Sequence, residues 1–435
     1  MPESVVIYLV VHQPRRPRLP AARLSPSAPA DELAEAVFDS SLNRRYFQKV
    51  TRYCYGPAVE EFYRHVESGL KLNIGVSFSF LKQAQRWNPG LLEQFQRLGA
   101  HPNVELIGVE PYHSFLFWLD IEHFRRRMVW MREEFKRLFG ERPAVTDTTE
   151  MILSNEIYAA LESLGFSGVL TEGRAQLLGW RSPTYIYAPT GRPLRMLTRH
   201  NLLSDDVGYR FSNQEWDGYP LRASDYARWI RGTGGDVAIL GWDFETFGEH
   251  HHVDSGVFEF LQWLPGELAY HGVTSLKASD ALDRFGGCPH HIDLPASPVT
   301  WAGKGDMSFF LGNPVQQRLF HLMRHAYHLS VLSEEPELVD IALWLAQSDN
   351  LHLLQWYEEF NSEAEVSAYF TPDEWWRLGH ERLLHELLAV YENFIYAVSQ
   401  RLALRPAAEP SERPAAEARP VRRREPREHV PAAAG

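Results

Sequence analysis

The sequence predicts an α/β fold with a parallel sheet, followed by a helical domain. Short apolar runs rich in β-branched residues alternate with amphipathic helical segments over most of the 435-residue chain. Acids and histidines directly follow several of these runs, and after residue 288 long amphipathic helices replace the alternation. Such alternation is typical of βαβ units, whose crossovers are right-handed by default.

The strands can be assigned in chain order from their apolar, β-branched character. Val5 to Val11 is apolar throughout, as a strand buried on both faces would be. The other predicted strands are Asn73 to Phe80, Val104 to Val109, Ala144 to Val145, Gly168 to Thr171, Val237 to Leu240 and Val273 to Leu276. Because helical segments separate them, we expect these strands to run parallel.

The segments between the strands carry apolar residues at helical spacing on one face. One helix is predicted to begin near Asp31, and the others are Pro89 to Leu98, Ile121 to Phe139, Asn155 to Leu164, Asp225 to Arg231 and Phe258 to Leu268. We predict that Gly179 to Asn213 is a loop because it is rich in Pro, Arg and Asp. A loop of this length usually serves a binding site.

These patterns divide the chain into three parts. Residues 1–288 are predicted to form the sheet domain. Residues 289–404 are predicted to form a helical domain with helices at Leu311 to Leu332, Leu338 to Trp356 and Glu374 to Leu402. Residues 405–435 contain almost no large apolar side chain, so burial cannot offset the entropy of ordering them, and we predict a disordered tail.

Composition argues against several classes of function. A formal net charge of −12 and a pI near 5.9 argue against a nucleic-acid partner, since such binding depends on clustered Lys and Arg. The two cysteines, Cys54 and Cys288, give no disulfide framework and no zinc-ligand spacing, which favours a reducing cytoplasm. Val5 to Val11 is too short to span a bilayer, so we predict neither a signal peptide nor a membrane anchor.

Four of the first five predicted strands end in acids or histidines. These are His12 after the first strand, Glu110 and His113 after the third, Glu150 after the fourth and Glu172 after the fifth. The carboxyl ends of barrel strands are where α/β barrels keep their binding residues, although a lone histidine is more often structural. A single site at the mouth of one barrel explains the polar residues at these four strand ends more simply than four unrelated occurrences would.

The strand exit richest in such residues is GWDFETFGEHH, from Gly241 to His251. It carries Asp243, Glu245 and Glu249 among three aromatic residues. Apolar neighbours can push the pKa values of such carboxylates apart, which acid–base chemistry needs. We expect only one of these carboxylates to act in chemistry and interpret Glu245 and Glu249 as supporting or salt-bridged. The alternative interpretation of the whole segment is a salt-bridged loop or a helix start.

An ordered set of motifs adds information beyond spacing. The motifs are VVHQP (Val10 to Pro14), VELIGVEPYHSF (Val104 to Phe115), TDTTEMILSNEIY (Thr146 to Tyr158), LTEGRAQLLGWRSP (Leu170 to Pro183), LSDDVGYRFS (Leu203 to Ser212), GWDFETFGEHH (Gly241 to His251) and AQSDNLHLL (Ala346 to Leu354). In these motifs the chain resembles the α-amylase-type members of glycoside hydrolase family 57, up to about residue 400. The resemblance implies an incomplete (β/α)7 barrel followed by a helical domain. It also implies retaining cleavage of α-linked sugars without a metal or other cofactor.

The resemblance assigns roles position by position. It implies that Glu150 is the nucleophile and Asp243 the general acid/base. It implies that the substrate-binding residues include His12, Glu110, His113 and, from the helical domain, Asp349. The chain departs from the family pattern in two places. Asp147 and Thr148 stand where the family usually has Arg and Asn, and Asn350 stands where it usually has His.

Aromatic residues are abundant, with 13 Trp and 18 Tyr, and such rings can stack on sugar faces. Most of them are expected to lie in the core. The candidates for substrate platforms are Trp180, Trp216 and Trp301.

Other interpretations stay open at this point. His12, His113, His250 and His251 with Asp243 could instead bind a divalent metal, as in polysaccharide deacetylases. A third possibility is a non-catalytic carbohydrate-binding protein, against which both catalytic carboxylates argue. Within the enzyme class, hydrolysis of α-1,4-glucans and 4-α-glucan transfer share one intermediate, and an α-galactosidase could use the same site. We predict an α-glucan substrate and neither a nucleic-acid nor a membrane partner; the sequence does not indicate an oligomeric state.

Overall fold

The first strand of the chain, β1 (Ser4–Val11), lies at the centre of the sheet with all eight residues buried. The structure is a computed structural model that describes residues 3–357 and 369–404. The strands that follow are β2 (Leu72–Val76), β3 (Val104–Ile107), β4 (Val145–Thr146), β5 (Gly168–Glu172), β6 (Ile186–Ala188), β7 (Arg195–Arg199), β8 (Ala238–Asp243), β9 (Thr274–Leu276) and β10 (His290–His291). Continuous burial of β1 follows from its apolar sequence, VVIYLVV after Ser4.

Seven of these strands form a closed circuit of parallel neighbours. The circuit runs β1, β2, β3, β4, β5, β7, β8 and back to β1. A bridge between Gly108 and Thr146 joins β3 to β4, and Arg199 opposite Ile239 joins β7 to β8. The strands β9, β10 and antiparallel β6 pair outside the circuit. All seven carboxyl ends therefore point to the same mouth of a barrel.

Helices cover the outside of this barrel and continue the chain after it. The helices are α1 (Ala30–Val37), α2 (Ser40–Val50), α3 (Gly56–Glu67), α4 (Phe78–Trp87), α5 (Pro89–Gly99), α6 (Leu116–Leu119), α7 (Ile121–Phe139), α8 (Asn155–Ser163), α9 (Ala175–Leu178), α10 (Asn201–Gly208), α11 (Ala223–Gly232), α12 (Val257–Tyr270), α13 (Ala278–Phe285), α14 (Ser308–Leu311), α15 (Pro314–Leu332), α16 (Pro336–Leu345), α17 (Asp349–His352), α18 (Asp373–Trp376) and α19 (His380–Ala403). None of the described helices is long and apolar enough to cross a membrane.

The α/β class and the helical C-terminal region were predicted correctly, but the loop predicted at Gly179 to Asn213 was wrong. That segment contains β6, β7 and α10. Its strand β7 has the sequence RMLTR, and both arginines are paired. Arg195 donates to the carbonyl of Gly286 at 2.9 Å, and Arg199 pairs with Glu172 at 2.9 Å. Because partners satisfy these guanidinium groups, a strand with a loop-like composition lies inside the sheet.

Three further boundaries differ from the sequence prediction. The strand predicted at Asn73 to Phe80 ends at Val76, because the Ser77 hydroxyl accepts the Phe80 N–H at 3.2 Å and begins α4. The helix predicted at Glu374 to Leu402 is two helices, α18 and α19, separated by Gly379, whose φ is 80°. The helix predicted at Leu338 to Trp356 is also two helices, α16 and α17. The break between them brings the start of α17 to the barrel mouth. The predicted tail at 405–435 lies outside the described residues.

The C-terminal helices are attached directly to the barrel mouth. Helix α15 packs against α16 and α19. The segment between α16 and α17 hydrogen-bonds to the loop after β3: Phe115 N–H donates to Ala346 at 3.1 Å, and Ser348 N–H donates to His113 at 3.0 Å. Residues of the helical region therefore reach the carboxyl ends of the strands.

Candidate active site

Six of the residues predicted from sequence lie around one cleft at the barrel mouth. They are His12, His113, Glu150, Asp243, Trp301 and Asp349. The first four follow or end β1, β3, β4 and β8, while the last two come from the segments after the barrel. The strand order places β4 three strands from β8 in one direction and four in the other. Glu150 and Asp243 thus extend from opposite sides of the seven-stranded ring.

Glu150 is held in an unusual backbone conformation by four hydrogen bonds. Its φ is 59°, a left-handed conformation that residues other than Gly rarely adopt. Its carbonyl accepts from Thr300 Oγ1 at 2.7 Å and from Trp301 N–H at 3.3 Å. Its carboxylate accepts from Trp301 Nε1 at 2.7 Å and from Ser348 Oγ at 2.8 Å. Strain of this kind persists where surrounding structure fixes it, and it is concentrated at functional sites.

Burial dominates the electrostatics of Glu150. Removal from water raises the pKa of its carboxyl, while the hydrogen bonds from Trp301 and Ser348 lower that pKa. The two donors therefore favour the ionised carboxylate, which is the form a nucleophile needs.

The imidazoles of His12 and His113 stack with their ring centroids 4.2 Å apart. Nε2 of His12 lies 3.0 Å from Oδ2 of Asp349, and its Nδ1 lies 2.9 Å from Ser77 Oγ. Burial would raise the pKa of Asp349, but the adjacent His12 lowers it to about 2. Burial lowers the pKa of His113 to about 3, so this ring is neutral at neutral pH. The group combines a carboxylate with imidazole nitrogens that can hydrogen-bond to hydroxyl groups.

Asp243 ends β8 between two buried aromatic residues, Trp242 and Phe244. Next along the loop, Glu245 also lines the cleft and accepts a hydrogen bond from Tyr55 Oη at 2.5 Å. Burial raises the pKa of Glu245 to about 8. Glu249 forms an ion pair with Lys49 at 2.6 Å, as the sequence predicted for a salt-bridged residue. Asp243 is thus the acid that stands at the carboxyl end of β8 itself and lines the cleft.

Asp147 is buried directly after β4, three residues before Glu150. Tyr8 donates to Oδ2 of Asp147 at 2.8 Å, and Thr148 N–H donates to Oδ1 at 2.6 Å. Burial raises the pKa of Asp147 to about 8, with a smaller contribution from the charge of Glu150. This acid is therefore protonated at neutral pH. Asp147 is one of the residues whose type departs from the family motif. Asn350 is another, and its side-chain amide donates to the carbonyl of Leu345 at 3.0 Å.

Trp301 stands on a buried ion network. The guanidinium of Arg199 lies 5.5 Å from the Trp301 ring and pairs with Glu172 at 2.9 Å and with Asp205 at 2.7 Å. A second arginine, Arg174, pairs with Asp205 at 3.2 Å. Because Glu172 and Asp205 hold the Arg199 guanidinium in place, this group supports the Trp301 ring that donates to Glu150.

Three of the predicted binding residues do not line the cleft. Glu110 is fully buried, and its carboxylate accepts the backbone N–H groups of Tyr112 at 3.0 Å and Ser114 at 2.5 Å, which fixes the turn carrying His113. Burial raises the pKa of Glu110 to about 7. Trp180 is 89% exposed, with Arg181 over its ring. Trp216 packs on Arg210 and Trp229 instead.

Sequence reasoning missed several residues of the cleft. Ser348 is the most informative, because its hydroxyl lies 2.8 Å from Glu150 and 2.9 Å from His113 Nδ1. The residues that line the cleft itself and were also missed are Tyr209, Ala302, Phe309, His352, Tyr369 and Phe370. Ser348, His352 and Tyr209 stand inside quoted motifs, so position within a motif was the available signal.

One group among the described residues has the geometry to hold a metal ion. His12, His113 and Asp349 present ligand atoms within 4.8 Å of one another. Their own contacts are those of a hydrogen-bonded group, since His12 Nε2 faces Asp349 directly and the two imidazoles stack. His251 is occupied elsewhere, with Nδ1 2.7 Å from Ser212 Oγ and Nε2 2.8 Å from the carbonyl of Val207.

A barrel-mouth cleft of carboxylates, imidazoles and an indole ring suits the binding of sugars, and sequence comparison places the protein among the glycoside hydrolases. The chain belongs to Glycosyl hydrolase family 57, whose sequence model matches residues 6–290. A protein of Methanocaldococcus jannaschii described as "Putative alpha-amylase" is 33% identical over 372 residues, covering 82% of this chain and 77% of that protein.

Solved structures with a similar fold include a member of this family. A branching enzyme of Thermococcus kodakaraensis superposes with a TM-score of 0.59 at 14% identity, over 92% of this chain and 94% of its own. The alpha-amylase AmyC of Thermotoga maritima superposes with a TM-score of 0.55 at 12% identity, over 93% of this chain and 98% of its own. A 4-alpha-glucanotransferase of Thermococcus litoralis superposes with a TM-score of 0.59 at 14% identity, over 81% of this chain and 56% of its own. These likenesses confirm the predicted (β/α)7 barrel followed by helices.

Proposed function

We propose that the protein is a retaining α-glycosidase of α-amylase type that hydrolyses α-1,4-glucosidic bonds in starch, glycogen and maltooligosaccharides. The observation that carries the proposal is that Glu150 and Asp243 line one cleft from opposite sides of the strand ring. Retaining cleavage needs two carboxyl groups on the two sides of one anomeric carbon.

In the proposed reaction Glu150 attacks the anomeric carbon and forms a glycosyl-enzyme. Asp243 protonates the departing glycosidic oxygen, so the leaving sugar takes the proton and the electron pair of the broken bond. Asp243 then removes a proton from water as the water attacks the anomeric carbon and releases Glu150. Two inversions at the same carbon give net retention.

The surroundings of the two carboxylates support these roles. Trp301 and Ser348 both donate to the Glu150 carboxylate, which favours its ionised form. His12, His113 and Asp349 line the same cleft and offer hydrogen-bonding groups to the hydroxyls of a bound sugar. Trp301 lines it as well, and an indole ring can pack on a sugar face.

The substrate class rests on the relatives. The Methanocaldococcus jannaschii protein carries an amylase description, and the solved relatives include a branching enzyme and a 4-alpha-glucanotransferase. An α-glucan is the substrate common to these activities. Water as the acceptor gives hydrolysis, while a sugar hydroxyl as the acceptor gives 4-α-glucan transfer through the same glycosyl-enzyme.

Product analysis tests the proposal. Maltoheptaose, soluble starch and an α-galactoside are incubated with the protein, and the products are separated by chromatography. We expect shorter maltooligosaccharides and glucose from the first two substrates and no reaction with the third. Products longer than maltoheptaose would show transfer instead of hydrolysis, and cleavage of the α-galactoside alone would overturn the α-glucan assignment.

Matched variants link the activity to the two carboxylates. We expect Glu150→Gln and Asp243→Asn each to lower kcat by at least about 10³-fold, since each removes one half of the chemistry. Glu249→Gln is the control, because this acid lies in the same loop but pairs with Lys49. Full activity in either of the first two variants would refute its assignment.

A further inference from the structure

A second cavity lies outside the barrel, between the beginning of α11 and one face of α12. Its volume is about 480 Å³, within the range of about 300–1,000 Å³ typical of ligand sites. One wall is the segment Tyr219 to Ser224, and the other is the face of α12 that carries Glu259, Trp263 and Glu267. We call this cavity the α11–α12 groove.

The groove presents aromatic rings to solvent. Trp263 is 60% exposed and Tyr219 is 40% exposed, one on each wall. The flat, apolar face of an exposed aromatic ring is suited to the apolar face of a pyranose. The floor between the two walls includes Phe211 and Phe260, which pack on each other with ring centroids 5.3 Å apart.

Hydrogen-bonding groups flank the exposed rings. Glu259 and Glu267 lie four residues before and after Trp263, so all three side chains share one face of α12. Arg222 stands on the opposite wall. In the described part of the chain the structure gives these three charged side chains no hydrogen bond or ion pair. Carboxylates and a guanidinium beside an exposed ring offer acceptors and planar donors for sugar hydroxyls.

The groove is connected to the catalytic cleft through two chain segments. Tyr209 lines the cleft, and Phe211, two residues later, lines the groove. His250 lines the cleft, and Ser255 in the following turn lines the groove. Helices in βα units begin on the mouth side of a barrel, so the groove begins on the same side as the cleft. From Gly256 to Glu267 it follows α12 for about 16 Å at 1.5 Å per residue.

We propose that the α11–α12 groove is a second, non-catalytic binding site for an α-glucan chain. The proposal rests on the proposed function, because the occupant is the polymer that the cleft would cleave. A chain held in the groove lies beside the mouth, so long substrates gain binding that short oligosaccharides, filling only the cleft, do not.

The test uses retention by soluble glycogen in native gels, in a Glu150→Gln background where glycogen is not consumed. We expect Trp263→Ala and Tyr219→Ala each to weaken glycogen binding by about tenfold, since aromatic anchors carry much of the binding energy of such sites. Trp180→Ala is the control, because Trp180 is an exposed tryptophan outside the groove. Both Trp263 and Tyr219 are exposed, so the variants are expected to fold, and thermal unfolding checks this.

A second measurement separates the groove from the cleft. In the otherwise unchanged enzyme, Trp263→Ala is expected to leave kcat/KM on an aryl α-maltoside within about twofold while lowering kcat/KM on glycogen. Unaltered glycogen retention in Trp263→Ala and Tyr219→Ala would overturn the proposal. It would also be overturned if these variants changed only the oligomeric state, because the groove would then be an interface between copies.

Failure of the proposed function gives a different result. A protein that neither retains glycogen nor cleaves maltooligosaccharides would refute both the α-glucan assignment and the groove. A protein that cleaves maltooligosaccharides while Trp263→Ala leaves glycogen retention unchanged would refute the groove alone.

Discussion

Trp301 Nε1 donates a 2.7 Å hydrogen bond to Oε2 of Glu150. The bond joins the segment after the barrel to the exit of β4, and it favours the charged form of a carboxyl whose pKa burial raises. Loss of a hydrogen bond to a charged group costs about 1.5–3 kcal/mol, and one pKa unit corresponds to about 1.4 kcal/mol.

We therefore predict that Trp301→Phe moves the acid limb of the kcat/KM pH profile up by about one to two pH units. The sign follows because the lost donor had lowered the pKa of Glu150, and activity requires the ionised carboxylate. Ser348→Ala is expected to act in the same direction, since Ser348 donates to Oε1. Trp180→Phe is the control, and an acid limb that stays in place in Trp301→Phe would contradict the role given to this bond.

The contact between His12 and Asp349 gives a second prediction. His12 Nε2 and Asp349 Oδ2 lie 3.0 Å apart, so each side chain orients the other. We expect Asp349→Asn and His12→Gln each to lower kcat by about 10²-fold through misplacement of the bound sugar. The double variant should lose little more than either single variant, because both remove one contact. Losses that multiply, measured by steady-state kinetics, would show that the two residues act independently.

Asp147 gives a prediction about stability and pH. Burial raises its pKa to about 8, so the folded state binds the proton more tightly than the unfolded state. The stabilising contribution of this group is full below the ordinary carboxyl pKa of about 3.9 and is lost as the pH rises toward 8. We expect Asp147→Asn to reduce the fall in Tm between pH 5 and pH 8. Parallel Tm curves for the variant and the parent would contradict the raised pKa.

The proposed reaction uses two carboxylates and no metal ion. We therefore expect prolonged treatment with EDTA or 1,10-phenanthroline to leave turnover of maltooligosaccharides unchanged, with metal content measured before and after by elemental analysis. If activity fell and one divalent ion restored it, the group of His12, His113 and Asp349 would be a metal site, since its ligand atoms lie within 4.8 Å of one another.

The sequence was sufficient to predict the residues at strand exits. An apolar run followed by a polar residue locates a strand and its carboxyl end, and parallel strands bring those ends to one mouth. For this reason His12, Glu150 and Asp243 could be placed at a common site. The same logic failed for β7, because Arg195 and Arg199 made a paired interior strand look like a loop.

Contacts between distant segments could not be predicted. Trp180, Trp216 and Trp301 were equivalent in sequence, but only Trp301 lines the cleft, and Trp180 is 89% exposed. Which tryptophan meets Glu150 depends on how the segment after the barrel returns to the mouth. The contact of Ser348 with Glu150 has the same origin, since it depends on the break between α16 and α17.

The central claim is that Glu150 and Asp243 act from opposite faces of one sugar, and azide rescue tests it most directly. Glu150→Gly suits the backbone at this position, because glycine tolerates a φ of 59° and removes the side chain. Azide in the vacated space would attack an aryl α-maltoside from the β face.

We predict that Glu150→Gly with azide gives the β-glycosyl azide. Asp243→Ala with azide should give the α-glycosyl azide, because azide would then attack the glycosyl-enzyme from the other face. NMR of the isolated products distinguishes the two anomers. The same anomer from both variants, or no azide adduct from either folded variant, would contradict the assignment of the two carboxylates.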